Sequence, residues 1–143
     1  KSDERENFIS NLMKLFPNLK YNILGISNEL PKWNYNFYNE LAKCKMSLNL
    51  SRGKPLKYTS SNRIAALVGN GIFTFIDINT KFNDFFDDNE VGFYKNVKDL
   101  GNKIEYLLKY PKKINEYGKR GKEKYFKLFN NKIITKKIIE KTF

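Results

Sequence analysis

The sequence predicts an α/β protein: a mainly parallel sheet flanked by helices, with a helical C-terminal segment. Three observations carry this. Short apolar runs of strand length lie at residues 21–26, 46–50, 72–76 and 91–94, the segments around them repeat apolar residues at helical spacing, and turn residues separate the two kinds. Strands joined through helices imply right-handed crossovers and hence parallel pairing. In such sheets ligands lie at the carboxyl ends of the strands, which directs attention to the loops after residues 26, 50 and 76.

The elements follow in order. Residues 2 to 16 read as an amphipathic helix with Ser2 as N-cap, Asp3 and Glu4 in the first turn, and Phe8, Leu12, Leu15 and Phe16 on one stripe, stopped by Pro17 and Asn18. A strand from Tyr21 to Ile26 and a helix marked by Phe37, Tyr38, Leu41 and Ala42 come next. Met46, Leu48 and Leu50 alternate as a strand that runs into a cationic loop, Ser51 to Pro55. Ile64, Ala65, Leu67 and Val68 form a helix closed by Gly69, Asn70 and Gly71, ahead of the strand Ile72 to Ile76. After a polar and aromatic stretch and a strand at Val91 to Tyr94, helices dominate. Leu100, Ile104, Leu107 and Leu108 mark one; Pro111 suits the first turn of the next, with Ile114, Tyr117, Gly121, Tyr125 and Leu128 inward; Ile133, Ile134 and Ile138 mark the last. The 143 residues fit a single domain spanning 1–143.

Composition removes several function classes. Histidine is absent, which takes away the usual general base near neutral pH and the serine and cysteine triads built on it. With Cys44 the only cysteine, no disulfide or cysteine metal cluster forms within one copy, and a reducing cytoplasm is the expected compartment. What remains is chemistry by carboxylates, by activated water, or by cations and backbone amides that stabilise a leaving group. The net charge of +12 is carried mostly by lysine and is uneven: residues 95–143 hold 15 basic and 5 acidic side chains. Such a basic tail points to an anionic surface, either a membrane leaflet met peripherally through the C-terminal helices or a phosphorylated partner. Lys112, Lys113, Lys119, Arg120, Lys122 and Lys124 read first as a solvated helix face, with contact to anionic lipid as the second reading. A non-catalytic module for nucleic acid or another polyanion is the alternative. Against it, no RNA-recognition aromatic motif, zinc-finger spacing or KH-type glycine loop occurs, and lysine recognises phosphate less specifically than arginine.

The segment NLSRGKPLKYTSSNRIAALVGNG, residues 49–71, carries the chemistry. Arg52, Lys54, Lys57 and Arg63 surround a strand-to-helix transition whose entry residues Ser60, Ser61 and Asn62 are good N-caps. Unpaired first-turn N–H groups and added cations suit a phosphate or diphosphate.

From Asn62 and Arg63 through Ile64 to Gly69, Asn70 and Gly71, then an apolar strand ending in Asp77, the chain resembles the donor-binding segment of group 1 GT-B glycosyltransferases. A loop with Phe85 and Phe86, a strand reaching Phe93 and Tyr94, a helix opened by Val97, Asp99 and Leu100, and a helix with Gly118 and Gly121 continue the likeness over nearly the whole chain. The resemblance implies a Rossmann-like, C-terminal donor domain, one half of a GT-B architecture, with the acceptor glycan or lipid-linked glycan held by a separate N-terminal domain that would also supply any catalytic base. It implies that Ser60, Ser61, Asn62 and Arg63 meet the diphosphate of a nucleotide-sugar, that Arg52 and Lys57 neutralise the leaving phosphate, and that the turn Gly25, Ile26, Ser27 and Asn28 approaches the nucleobase. No metal or other cofactor is then required. Two departures stand out. Relatives carry a glutamate three residues after the Arg63 position, where this chain has Ala66, and the family domain begins with a strand and glycine-rich turn ahead of its first helix, so an N-terminally truncated, incomplete enzyme is expected.

Weaker signals read as structure. Asp84, Asp87, Asp88 and Glu90 make a solvated polar turn, and Tyr35, Phe37 and Tyr38, ahead of Leu41, are expected to pack in the core rather than stack a base or sugar ring, with Trp33 open between the two.

Overall fold

In the computed structural model, which describes residues 4–25, 30–59 and 62–142, three apolar runs lie side by side as parallel strands in the order β1 (Met46–Asn49), β2 (Phe73–Asp77) and β3 (Gly92–Tyr94). Ser47 stands opposite Thr74, and Phe75 opposite Gly92. Six helices complete the described residues: α1 (Glu4–Leu15), α2 (Asn34–Ala42), α3 (Asn62–Val68), α4 (Val97–Leu108), α5 (Pro111–Phe129) and α6 (Asn131–Thr142). The expected α/β architecture is therefore present, with Ser2 and Asp3 outside the described residues.

Period-2 alternation in β2 supplies two cores. Phe73 and Phe75 turn to one face, where Leu12 and Phe16 at the end of α1, Leu100 and Leu107 of α4, and Ile114 of α5 meet them. Ile76 turns to the other, against Ile64 and Val68 of α3 and the aromatic cluster of Phe82, Phe86 and Phe93. A strand buried on both faces reads as a continuous apolar run, as FTFI does here. The β2 to β3 crossover uses two short 3-10 turns, Ile78–Thr80 and Phe82–Asp84, whose phenylalanines take the place of a covering helix.

Helix α5 decides which edge of the sheet is open. Its first half packs Ile114 and Tyr117 into one core, and its second half packs Tyr125, Leu128 and Phe129 into the other. Between them Gly118 lies on the backbone of Gly71 and Phe73, and Gly121 on that of Glu90. These backbones lead into β2 and β3, so α5 crosses the N-terminal edge of the sheet and leaves the C-terminal edge to the loops.

Three expectations are corrected. Residues 21–25 form no strand, because Tyr21 donates to the carbonyls of Phe16 (2.8 Å) and Leu12 (3.3 Å) and Asn22 donates to Glu40 (3.2 Å). These side-chain bonds tie the segment to α1 and α2. Tyr35 and Tyr38 do not pack in the core, and Trp33 joins them outside it at 74% exposure: α2 is short, and its one buried residue is Leu41. Leu15 leaves the α1 stripe for solvent, and α6 forms as a helix in which Ile133 is half-buried while Ile134 and Ile138 stay exposed.

Glu40 anchors the surface around α2. It accepts from Lys32 (2.7 Å), Lys43 (3.1 Å) and Asn22 (3.2 Å), and these bonds hold its carboxyl down at about 2 from an ordinary 4.5. A folded-state pKa below the unfolded value gives stability that is present above the unfolded pKa and lost as pH falls through the folded one. Wild-type protein is therefore expected to lose stability relative to Glu40→Gln as pH drops from 4.5 toward 2, and the two should differ by a constant amount above 4.5. Parallel urea titrations at low salt measure this, since salt screens exposed pairs.

Candidate functional site

Parallel strands bring their last residues to one edge: Asn49 and Leu50 from β1, Asp77 from β2 and Tyr94 from β3. Each exit is fixed by its own sequence. After β3, Asn96 caps α4 by accepting from the Asp99 N–H (2.9 Å), while the Asp99 carboxylate accepts from the N–H of Lys95, the residue before the cap (2.9 Å). After β2, the Asp77 carboxylate accepts from the backbone N–H (2.8 Å) and side-chain amide (3.0 Å) of Asn79, closing the first 3-10 turn.

The cationic loop after β1 reaches across to the β2 exit. Tyr58 holds it there: its N–H donates to the Thr80 carbonyl (2.8 Å), its hydroxyl to Asp84 Oδ2 (2.6 Å), and its ring meets Phe85 edge-on at 5.1 Å. Tyr58 has a φ of +59°, a conformation uncommon outside glycine, so these contacts pin a backbone that would otherwise relax. Lys57 stacks over the same ring, with its ammonium 4.6 Å from the centroid.

Arg63, the second residue of α3, points back to the end of β1, where Nη2 donates to the Leu50 carbonyl (3.1 Å). Burial lowers its pKa from the ordinary value, and the neighbouring charge of Arg5 lowers it further. Among the described residues Arg63 has no carboxylate partner. Arg63 as a whole is exposed to solvent, so its remaining N–H donors are open to an anion. Beside it Asn49 is buried, and its Oδ1 has no hydrogen-bond partner. An unsatisfied buried acceptor costs about 1–3 kcal/mol, which is unusual at the mouth of a sheet unless something else supplies a donor.

Among the residues singled out from sequence, Arg52, Lys57, Asn62 and Arg63 all belong to the β1 exit or the start of α3, with Arg52 and Lys57 exposed on the loop. Ser60 and Ser61 lie outside the described residues, as do Ile26, Ser27 and Asn28. Gly25 is described, with a φ of +73° and its backbone close to Pro31. Arg5, Asn49 and Tyr58 were not legible as site residues. Arg5 is in α1, distant in sequence, and only packing of α1 on the sheet brings its charge within reach of Arg63. Asn49 and Tyr58 sit inside the segment already chosen, but they carry no motif that marks them.

The Asp84 to Glu90 loop is occupied with itself and with Tyr58: Asp84 accepts from that hydroxyl, and Glu90 accepts from the Asp87 N–H (2.9 Å). Among the described residues no group of three or more aspartate, glutamate, cysteine or histidine side chains is placed to hold a metal ion.

Parallel strands, helices on both faces and a cationic C-terminal edge define a Rossmann-like α/β half-domain. The chain belongs to the glycosyl transferase-like family, whose model matches residues 5–140. That membership makes transfer of a glycosyl group its general chemistry. No curated protein and no solved structure matches the chain.

Proposed function

We propose that the C-terminal edge of the sheet binds a nucleoside-diphosphate sugar as the donor half of a GT-B glycosyltransferase, with the acceptor glycan presented by a separate N-terminal domain. The observation that carries this reading is Arg63: a solvent-exposed guanidinium at a strand end, bonded to the Leu50 carbonyl and, among the described residues, to no carboxylate. Arginine presents paired donors that match phosphate oxygens.

In this reading Arg63 and the entry to α3 at Ser60, Ser61 and Asn62 hold the diphosphate, Arg52 and Lys57 neutralise it from the loop, and the turn from Gly25 to Asn28 meets the nucleobase. The bond between the anomeric carbon and the diphosphate oxygen breaks, the oxygen leaving with the electron pair. An acceptor hydroxyl forms the new bond to that carbon and gives its proton to a base outside this chain. Cations that stabilise the departing charge act where it develops, so they lower the barrier without a metal or another cofactor. Ala66 stands where the resemblance places a glutamate that grips the ribose or sugar hydroxyls, so this chain lacks that acceptor.

Titration with UDP, GDP and a short RNA at several salt concentrations tests the assignment. The expected result is saturable nucleotide binding in the micromolar to millimolar range with a shallow salt dependence. Binding of RNA alone, with affinity falling steeply as salt rises, would replace the transferase reading by that of a polyanion-binding module.

A further inference from the structure

We infer that α6 is an interfacial helix that docks the protein on an anionic lipid surface. The helix follows α5 after a single residue, and none of its described residues is buried. Ile134 is 40% exposed, Ile138 59% and Ile139 53%. Three β-branched apolar residues on one exposed helix are more than scattered surface hydrophobics, because their arrangement is ordered.

At about 100° per residue, Ile134 and Ile138 fall about 40° apart and Ile139 about 100° beyond, with only Asn131, Thr135 and Thr142 between them. Lys137 and Lys141 flank this arc on one side, and Lys132 and Lys136 on the other. Glu140, the only acid of the helix, lies on the opposite side, where it pairs with Lys136 and where the half-buried Ile133 faces away from the arc. An apolar arc bordered by lysines, with the acid at the back, is the layout of a helix lying in a headgroup layer: the isoleucines enter the acyl boundary and the lysines meet lipid phosphate.

Charge selects the occupant. Residues 95–143 carry 15 basic side chains against 5 acidic ones, so pairing two copies of this face would set lysine against lysine. A neutral apolar partner would cover the isoleucines and leave the lysines unanswered. An anionic bilayer answers both, and polybasic segments gain affinity with each lysine near such a surface. No described helix is long and apolar enough to cross the membrane, so this contact is with its surface.

Sedimentation with phosphatidylglycerol/phosphatidylcholine vesicles, against phosphatidylcholine vesicles alone, tests the inference on the whole chain. The expected result is binding to the anionic vesicles only, weakened by high salt and reduced at least about tenfold in an Ile134→Ser, Ile138→Ser double variant, since both the apolar and the electrostatic contributions are needed. Because Ile134 and Ile138 are both exposed, circular dichroism and nucleotide titration of the variant should match wild type. Absence of binding to anionic vesicles would overturn the inference, as would binding indifferent to the isoleucines. So would a wild-type dimer in light scattering that the double variant converts to monomer, which assigns the face to a second copy.

Discussion

Gly118→Ala is expected to destabilise the protein by about 3 kcal/mol, although alanine is the better helix former by about 1 kcal/mol. A Cβ at Gly118 would stand 2.1 Å from the Gly71 carbonyl oxygen and 3.1 Å from the Phe73 nitrogen, both backbone atoms with no rotamer to escape into. The helix itself would have to lift from the start of β2. That movement would loosen Ile114 on one face and Tyr125 on the other, since α5 serves both cores. A loss of this size is a large part of the 5–15 kcal/mol that typical domains have. Urea unfolding measures it, with the exposed neighbour Lys119→Ala as a control expected within about 0.5 kcal/mol of wild type. A stabilised Gly118→Ala would mean that α5 does not lie on the sheet edge as described.

The second large effect is on binding. Arg63→Ala is expected to weaken UDP or GDP binding about ten- to a hundredfold, the equivalent of one charge-assisted hydrogen bond at about 1.5–3 kcal/mol. Arg63→Lys should recover only part of it, because an ammonium on a flexible stem does not reproduce the planar fork. The arginine's described hydrogen bond goes to the Leu50 carbonyl at the surface end of β1, so the Ala variant should keep its fold. Loss of binding with an unchanged urea midpoint then reads as loss of a ligand contact. An Arg63→Ala titration that overlays the wild type would remove the guanidinium from the proposed site and leave family membership as the support for transfer chemistry.

The two substitutions mark where sequence reading succeeds and stops. Arg63 was legible because its type, its position after a strand and its place at a helix start all constrain the same chemistry, and local spacing is enough to show that. Gly118 was visible as a residue of an inward helix face, but the sign of its substitution depends on which backbone lies beneath it, and only the crossing of α5 over Gly71 decides that. Trp33 and the exposed α6 isoleucines show the same limit from the other side. Their spacing announces a helix, yet whether an apolar stripe is covered depends on what else the chain brings to it, and nothing among the described residues covers these.

By itself the sequence determined the α/β class, most element positions and the glycosyltransferase resemblance, because hydrophobic period, capping residues and turn chemistry act over a few residues. Tertiary structure alone decided that the charge of Arg5 reaches Arg63, that Tyr58 clamps the loop to Asp84, that Asn49 is left with an unpaired acceptor, and that α5 closes one edge of the sheet and leaves the other open. These are contacts between residues far apart in the chain, set by the packing of whole helices on the sheet, and no local pattern encodes which side chain will meet which.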